Sequence, residues 1–209
     1  MKCATKLRRG FTLVELLLAL AISGLVAAGV AGMLGGVATG IAVGTDARTG
    51  MLATGVIQGR VVESVTPGAS VLAAEPQRCA IWLGDTRPGG LVEPSECAWL
   101  TIDQDKGIVT WEHVVFPESW GPVERARADQ PLRPNGDPFP VLEETRALGI
   151  IETEILADGL LDGEIPQSNQ LPGSREVRIN LRLDLPTGPW PMSAIAVFQN
   201  HQMPPEWNP

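Results

Sequence analysis

Hydrophobic and polar positions follow two different rules along this chain. From residue 16 to residue 45 no charged side chain occurs, and the stretch is built mainly of Leu, Ile, Val, Ala and Gly. As a helix it would extend about 45 Å, more than the ~30 Å hydrocarbon core of a bilayer. Beyond it, Met51, Leu52, Val56, Val61, Val62 and Val65 recur at loose helical spacing until Pro67 and Gly68. This predicts one long helix ending near residue 65, its second half packed on a sheet through those apolar positions. The pattern then shortens to strand length. Residues 79–83 form a brief apolar run. Residues 98–102 and 108–116 flank Asp103-Gln104-Asp105-Lys106-Gly107, which reads as a hairpin turn. Val177, Ile179, Leu181, Leu183 and Leu185 alternate with polar residues, the mark of a strand buried on one face. A turn is expected over 186–191, a returning strand over 193–199, and a further strand over 152–156. Residues 117–140, rich in proline and charge, read as an irregular loop. A helix followed by an antiparallel sheet is an α+β layout.

Charge sharpens this division. Lys2, Lys6, Arg8 and Arg9 precede the apolar stretch with no acid among the first ten residues, whereas the whole 209-residue chain is net −8. Basic residues before the stretch and Asp46 after it place the N-terminus in the cytoplasm and the remainder outside. An acidic polar part argues against a nucleic-acid partner, because phosphate binding needs clustered Lys and Arg. Of the three cysteines, Cys79 and Cys97 lie in the polar part. Export would allow them to pair, with a short-loop bridge adding about 3 kcal/mol; the alternative is two buried free thiols.

The apolar stretch admits three readings: a cleaved secretory signal with Ala19-Leu20-Ala21 as its small-residue site, a plain signal anchor, or a prepilin-type leader. Glu15 separates them. A carboxylate inside an apolar run costs up to about 2.5–3.5 kcal/mol on insertion scales, and neither of the first two readings has a use for it. Arg8-Arg9-Gly10-Phe11-Thr12-Leu13-Val14-Glu15 resembles the processing site of type IV prepilins and type II secretion pseudopilins. The resemblance covers residues 8 to about 26 and implies a pilin-like fold. It implies cleavage after Gly10 by a prepilin peptidase on the cytoplasmic side of the bacterial inner membrane, N-methylation of Phe11, and Glu15 as the fifth mature residue. In the family, that acid faces the new N-terminal ammonium of a neighbouring subunit during assembly. The resulting division is a leader at 1–10, a transmembrane and filament-core helix at 11–45, a helix continuation at 46–66 and an extracytoplasmic β-rich domain at 67–209. Partners would be other pilin or pseudopilin subunits. The layout is similar to J-type pseudopilins and W-type minor pilins, which suggests a minor subunit; the alternative is a membrane-anchored adhesin or binding module that carries the same leader.

The remaining candidates are weaker. Ala28, Gly32, Gly36, Gly40 and Gly44 repeat every four residues, a small-residue face suited to close helix packing in membranes. Residues 85–96 place Asp85, Gly90, Val92, Glu93 and Glu96 where a calcium loop has Asp, Gly, an apolar residue and acids. Arg87 and Gly89 occupy two of its ligand positions, so the segment reads as an acidic loop without metal. His113 and His201 lack metal-ligand spacing, and the pairs Glu143/Glu144 and Glu152/Glu154 read as solvated faces. Trp82, Trp99 and Trp111 are expected in the core, while Trp120, Trp190 and Trp207 sit beside Pro or Gly and are expected at the surface. No catalytic constellation and no cofactor motif stands out, so no enzymatic activity is expected.

Overall fold

The structure, a computed structural model, describes residues 13–86, 91–134, 136–166, 172–186 and 188–204, and of 37–47 the backbone alone. Helix α1 runs Leu13–Val65. Tertiary contacts divide the chain between Arg48 and Thr49. In the first unit the helix carries the apolar stretch Leu13–Gly36, with mean hydropathy 2.3 and none of it buried.

In the second unit a five-stranded antiparallel sheet has the order β1 (Ser70–Glu75), β2 (Arg78–Trp82), β3 (Cys97–Asp103), β4 (Ile108–Val114), β5 (Ile151–Ala157). Helices α2 (Pro122–Ala128) and α3 (Phe139–Ala147) are inserted between β4 and β5. A three-stranded sheet follows, in the order β6 (Leu160–Glu164), β7 (Glu176–Leu185), β8 (Gly188–Val197). The α+β layout expected from the sequence is therefore present.

The short apolar runs of β2 and β3 have a direct cause: both faces of the large sheet are covered. On one face, Cys79, Ile81, Ala98, Leu100, Ile102, Val109 and Trp111 pack with Val177, Ile179, Leu181 and Leu183 of β7 and with Val61 and Val65 of α1. On the other, Ala80, Trp82, Cys97, Trp99 and Val114 pack with Leu132, Phe139, Leu142 and Ile150. β7 has only one covered face, hence its strict alternation. Trp82, Trp99 and Trp111 are all buried, whereas Trp120 and Trp190 are half-buried and Trp207 lies outside the described residues.

Two expectations are corrected. The Cys79–Cys97 bridge is not formed, and both thiols are free and buried. Cys79 pairs with Leu100 and Cys97 with Trp82, so the two are three residues out of register on neighbouring strands. That offset is about 10 Å along the strand, beyond the ~7 Å Cα limit for a disulfide. They also point into opposite cores. Second, the helical stripe facing the sheet is Gly50, Thr54, Ile57, Val61 and Val65, with Gly50, Val61 and Val65 buried and Val62, as expected, packed against the same core. Met51, Leu52 and Val56 point outward at 67%, 63% and 57% exposure. Gly50 is in the stripe because a Cβ there would lie 2.9 Å from Cδ2 of Trp190, whose ring occupies that space.

Four elements escaped the sequence reading: β1, β6, α2 and α3. The supposed loop over 117–140 contains α2 and the start of α3. In α2, Pro122 stands in the first turn, where its missing N–H costs nothing, and Glu124 accepts from the Gly121 N–H at 2.7 Å. In α3, Asp137 accepts from the Phe139 N–H at 3.0 Å, and Phe139, Leu142 and Thr145 form the buried face. The turn after β7 is also tighter than expected. Leu185 pairs directly with Gly188, whose φ of +106° suits glycine.

Candidate assembly segment and polar anchors

The segment singled out by the sequence begins at the edge of the described residues. Gly10 and Phe11 lie outside them. Glu15 is exposed in the first turn of α1. A carboxylate suits this position, because the first helical N–H groups carry partial positive charge. Around it the helix offers no polar face. Leu13, Val14, Leu16, Leu17, Leu18, Leu20, Ile22, Leu25, Val26, Val30, Met33 and Leu34 are exposed by 52–78%. A Cβ at Gly32 or Gly36 would meet nothing within 4 Å. Gly40 and Gly44 are on the same helix, with surroundings outside the described residues.

Exposure on this scale decides what the segment needs. Full burial of one such side chain stabilises by about 1.5–3 kcal/mol. Covering the exposed parts of these twelve side chains is therefore worth on the order of 10–20 kcal/mol. That rivals the net stability of a whole domain, about 5–15 kcal/mol. Such a helix must be covered by lipid or by other helices.

In the second unit the ionisable residues act as anchors. Glu96 is buried, and its Oε1 accepts from Thr86 N (2.6 Å) and Thr86 Oγ1 (2.9 Å), while Oε2 lies 3.4 Å from Trp82 Nε1. The acid considered at the last position of a calcium loop instead ties the described ends of that loop to the sheet. Buried Asp129 holds the following 3-10 turn, Pro94–Glu96, by accepting from Ser95 N and Ser95 Oγ, both at 2.8 Å. Glu112 on β4 takes two bonds from Arg146 of α3, at 2.9 and 2.6 Å, and raises the guanidinium pKa further above its already high value. Arg146 also reaches Glu143 at 2.9 Å. Sequence reading missed Asp129, Glu112 and Arg146; the one signal was a lone acid inside the apolar strand 108–116.

The other candidates remain separate. His113 Nε2 lies 3.8 Å from Glu152 Oε2, and His201 Nδ1 lies 3.0 Å from the Ala69 carbonyl. Burial pushes the Cys79 thiol up to about 12. Burial, with the charges of Glu96 and Asp129, pushes Cys97 higher still. Neither is a nucleophile near neutral pH. A cleft of about 660 Å³ between the β1–β2 and β3–β4 turns is lined by Glu75, Gln77, Arg78, Thr101, Asp103 and Gln104, among others. Of its charges, Glu75 is engaged with Arg78 and Asp103 with Lys106, both at 2.7 Å.

A long apolar helix followed by a mixed α+β unit is a layout consistent with a pilin-like fold. Residues 5–31 match the family described as the prokaryotic N-terminal methylation motif, the leader of type IV pilins and pseudopilins. No curated protein and no solved structure matches the chain.

Proposed function

We propose that the chain is a structural subunit, a minor pilin or pseudopilin, of a type IV pilus or a type II secretion filament. The observation that carries this reading is the conjunction of the methylation motif at residues 5–31 with the apolar helix stretch Leu13–Gly36, none of it buried among the described residues. A prepilin peptidase cuts after Gly10, and Phe11 becomes the methylated N-terminus. The helix then holds the protein in the bacterial inner membrane as a single pass, with residues 67–209 in the periplasm or outside.

Assembly follows from charge and surface. Cutting after Gly10 leaves an ammonium on Phe11, one helical turn from Glu15. In apolar surroundings each of these charges is costly alone, and pairing with the opposite charge of a neighbouring subunit offsets both. The small-residue positions Gly32, Gly36, Gly40 and Gly44 leave room for neighbouring helices to approach.

The test is mass spectrometry of the native protein, together with a filament assay on Glu15→Val. Processing should leave Phe11 as a methylated first residue, and Glu15→Val should be processed yet fail to enter filaments. A first residue other than Phe11 refutes the cleavage assignment. Normal incorporation of the variant refutes the role given to the carboxylate.

A further inference from the structure

The large sheet has two terminal strands, and they differ. β1 is closed off beyond its own edge: Val71 donates to the Ser174 carbonyl at 3.4 Å and accepts from the Gly173 N–H at 2.8 Å. β5 pairs with β4 on one side and, among the described residues, with no strand on the other. Edge strands are usually defended by proline, by charged side chains, lysine above all, or by a bulge, and the charges that β5 carries, Glu152 and Glu154, are both acidic. β5 has no proline or lysine, and its register shift lies at the end near Ala157, which leaves 151–155 in regular register with β4. In the small sheet, by contrast, the edge strand β8 carries Pro189 and Pro191.

Burial and charge narrow what could sit on this edge. The four residues 152–155 are exposed on both faces of the strand, with Ile155 at 50%. Glu152 and Glu154 share one face by the two-residue period. A second copy is a poor occupant. Antiparallel self-pairing that keeps these carboxylates on one face sets Glu against Glu, which is destabilising. On that face the neighbouring basic group is His113, whose Nε2 lies 3.8 Å from Glu152 Oε2.

We propose that the free edge of β5 is a strand-addition site for an extended segment of a partner protein with Lys or Arg at alternate positions. Backbone pairing along 151–155 supplies the affinity, and Glu152 and Glu154 select the basic face. The inference does not depend on how the N-terminus is processed.

The test uses the full chain in a nonionic detergent and a labelled ten-residue peptide that alternates Lys with Val and Thr. Two further peptides serve as probes: the same sequence N-methylated at alternate backbone nitrogens, which cannot pair as a strand, and a Glu-for-Lys version. The basic peptide should bind, weaken with rising salt, and slow amide exchange at residues 151–155. N-methylation should weaken binding at least tenfold, and the acidic peptide should not bind. The exposed double variant Glu152→Gln/Glu154→Gln should weaken it roughly tenfold, as expected for two lost cross-strand charge pairs. Absence of binding, equal binding of the N-methylated peptide, or protection confined to other strands overturns the proposal.

Discussion

The pair formed by Glu112 and Arg146 supports a quantitative prediction, because its two members are unequally buried. The Glu112 side chain is 5% exposed and that of Arg146 is 36% exposed. Glu112 accepts two bonds from the guanidinium, and a further donor, Thr101 Oγ1, is 3.3 Å away. Removing one partner of a fully buried pair costs about 3–5 kcal/mol, because an uncompensated charge remains. Replacing Arg146 opens one side of the site to water, so Arg146→Leu should cost about 2–3 kcal/mol. Glu112→Leu leaves a guanidinium that still reaches solvent and Glu143, and should cost about 1 kcal/mol. The double variant removes both charges and should return to within about 1 kcal/mol of the parent.

Thermal unfolding of the full chain in detergent, followed by tryptophan fluorescence, reads this directly. For a unit of this size 1 kcal/mol corresponds to roughly 2–4 °C, so Arg146→Leu should lower Tm by about 5–10 °C. The order is the sharper test: Arg146→Leu worst, Glu112→Leu intermediate, the double variant nearest the parent. If the two single variants cost the same and their effects add, the pair is a solvated surface contact and the burial argument fails.

Three further predictions follow from the same packing. Because Cys79 and Cys97 are free and face opposite cores, reductant should leave Tm unchanged, whereas reducing a bridge would cost about 3 kcal/mol. Alkylation of both should require unfolding. The Cys79 thiol is raised from 9.0 to about 12 in the fold, so its contribution is complete below pH 9 and is lost as pH rises from 9 towards 12. Cys79→Ala should therefore flatten the alkaline side of the stability profile. On the second-unit part of α1, Gly55→Ala should stabilise by about 0.8–1 kcal/mol through helix propensity, since a Cβ there meets nothing within 4 Å. Gly50→Ala meets the Trp190 ring at 2.9 Å, and overpacking of about 1–3 kcal/mol should cancel or reverse that gain; Trp190 fluorescence should shift with it. Glu96→Ala strips the Thr86 N–H and hydroxyl of their acceptor and should cost about 2–4 kcal/mol in denaturant unfolding.

What the sequence made legible was what depends on neighbouring residues alone. The apolar stretch, the motif around Glu15, the 103–107 hairpin and the alternation of β7 are local patterns, and the strands they predict are found within a residue or two. Less legible was what depends on packing. β1 reads Ser-Val-Leu-Ala-Ala-Glu, with neither period. β6 contains Gly163, needed because a Cβ would approach Leu181 Cδ2 to 2.9 Å and Ile102 Cγ2 to 3.1 Å, contacts that no local pattern announces. The prolines near α2 and α3 were read as loop signals although proline in a first turn also starts helices. Met51, Leu52 and Val56 are apolar at helical spacing, yet the sheet selects the stripe through Gly50, because the Trp190 indole needs a position without a side chain.

The failed disulfide and the open edge share one cause, the parity of a sheet covered on both faces. Once both faces are buried, adjacent residues of β2 and β3 enter different cores, and two cysteines on neighbouring strands meet only if register and parity both agree. Here neither does. The same two covers set where the sheet stops being a core. Leu142 and Thr145 of α3 lie on one face and Trp111 closes the other, and Glu112, opposite Thr153, must bring its own cation to be buried there. One strand further out neither cover reaches, so Glu152 to Ile155 are exposed on both faces although β5 keeps full register with β4 over that length. The strand is thus held by its backbone at the centre and by Leu156 and Ala157 at its end. If that is right, amides at 152–155 should exchange faster than those of β3 in the free protein, and equal protection would mean that the edge is covered.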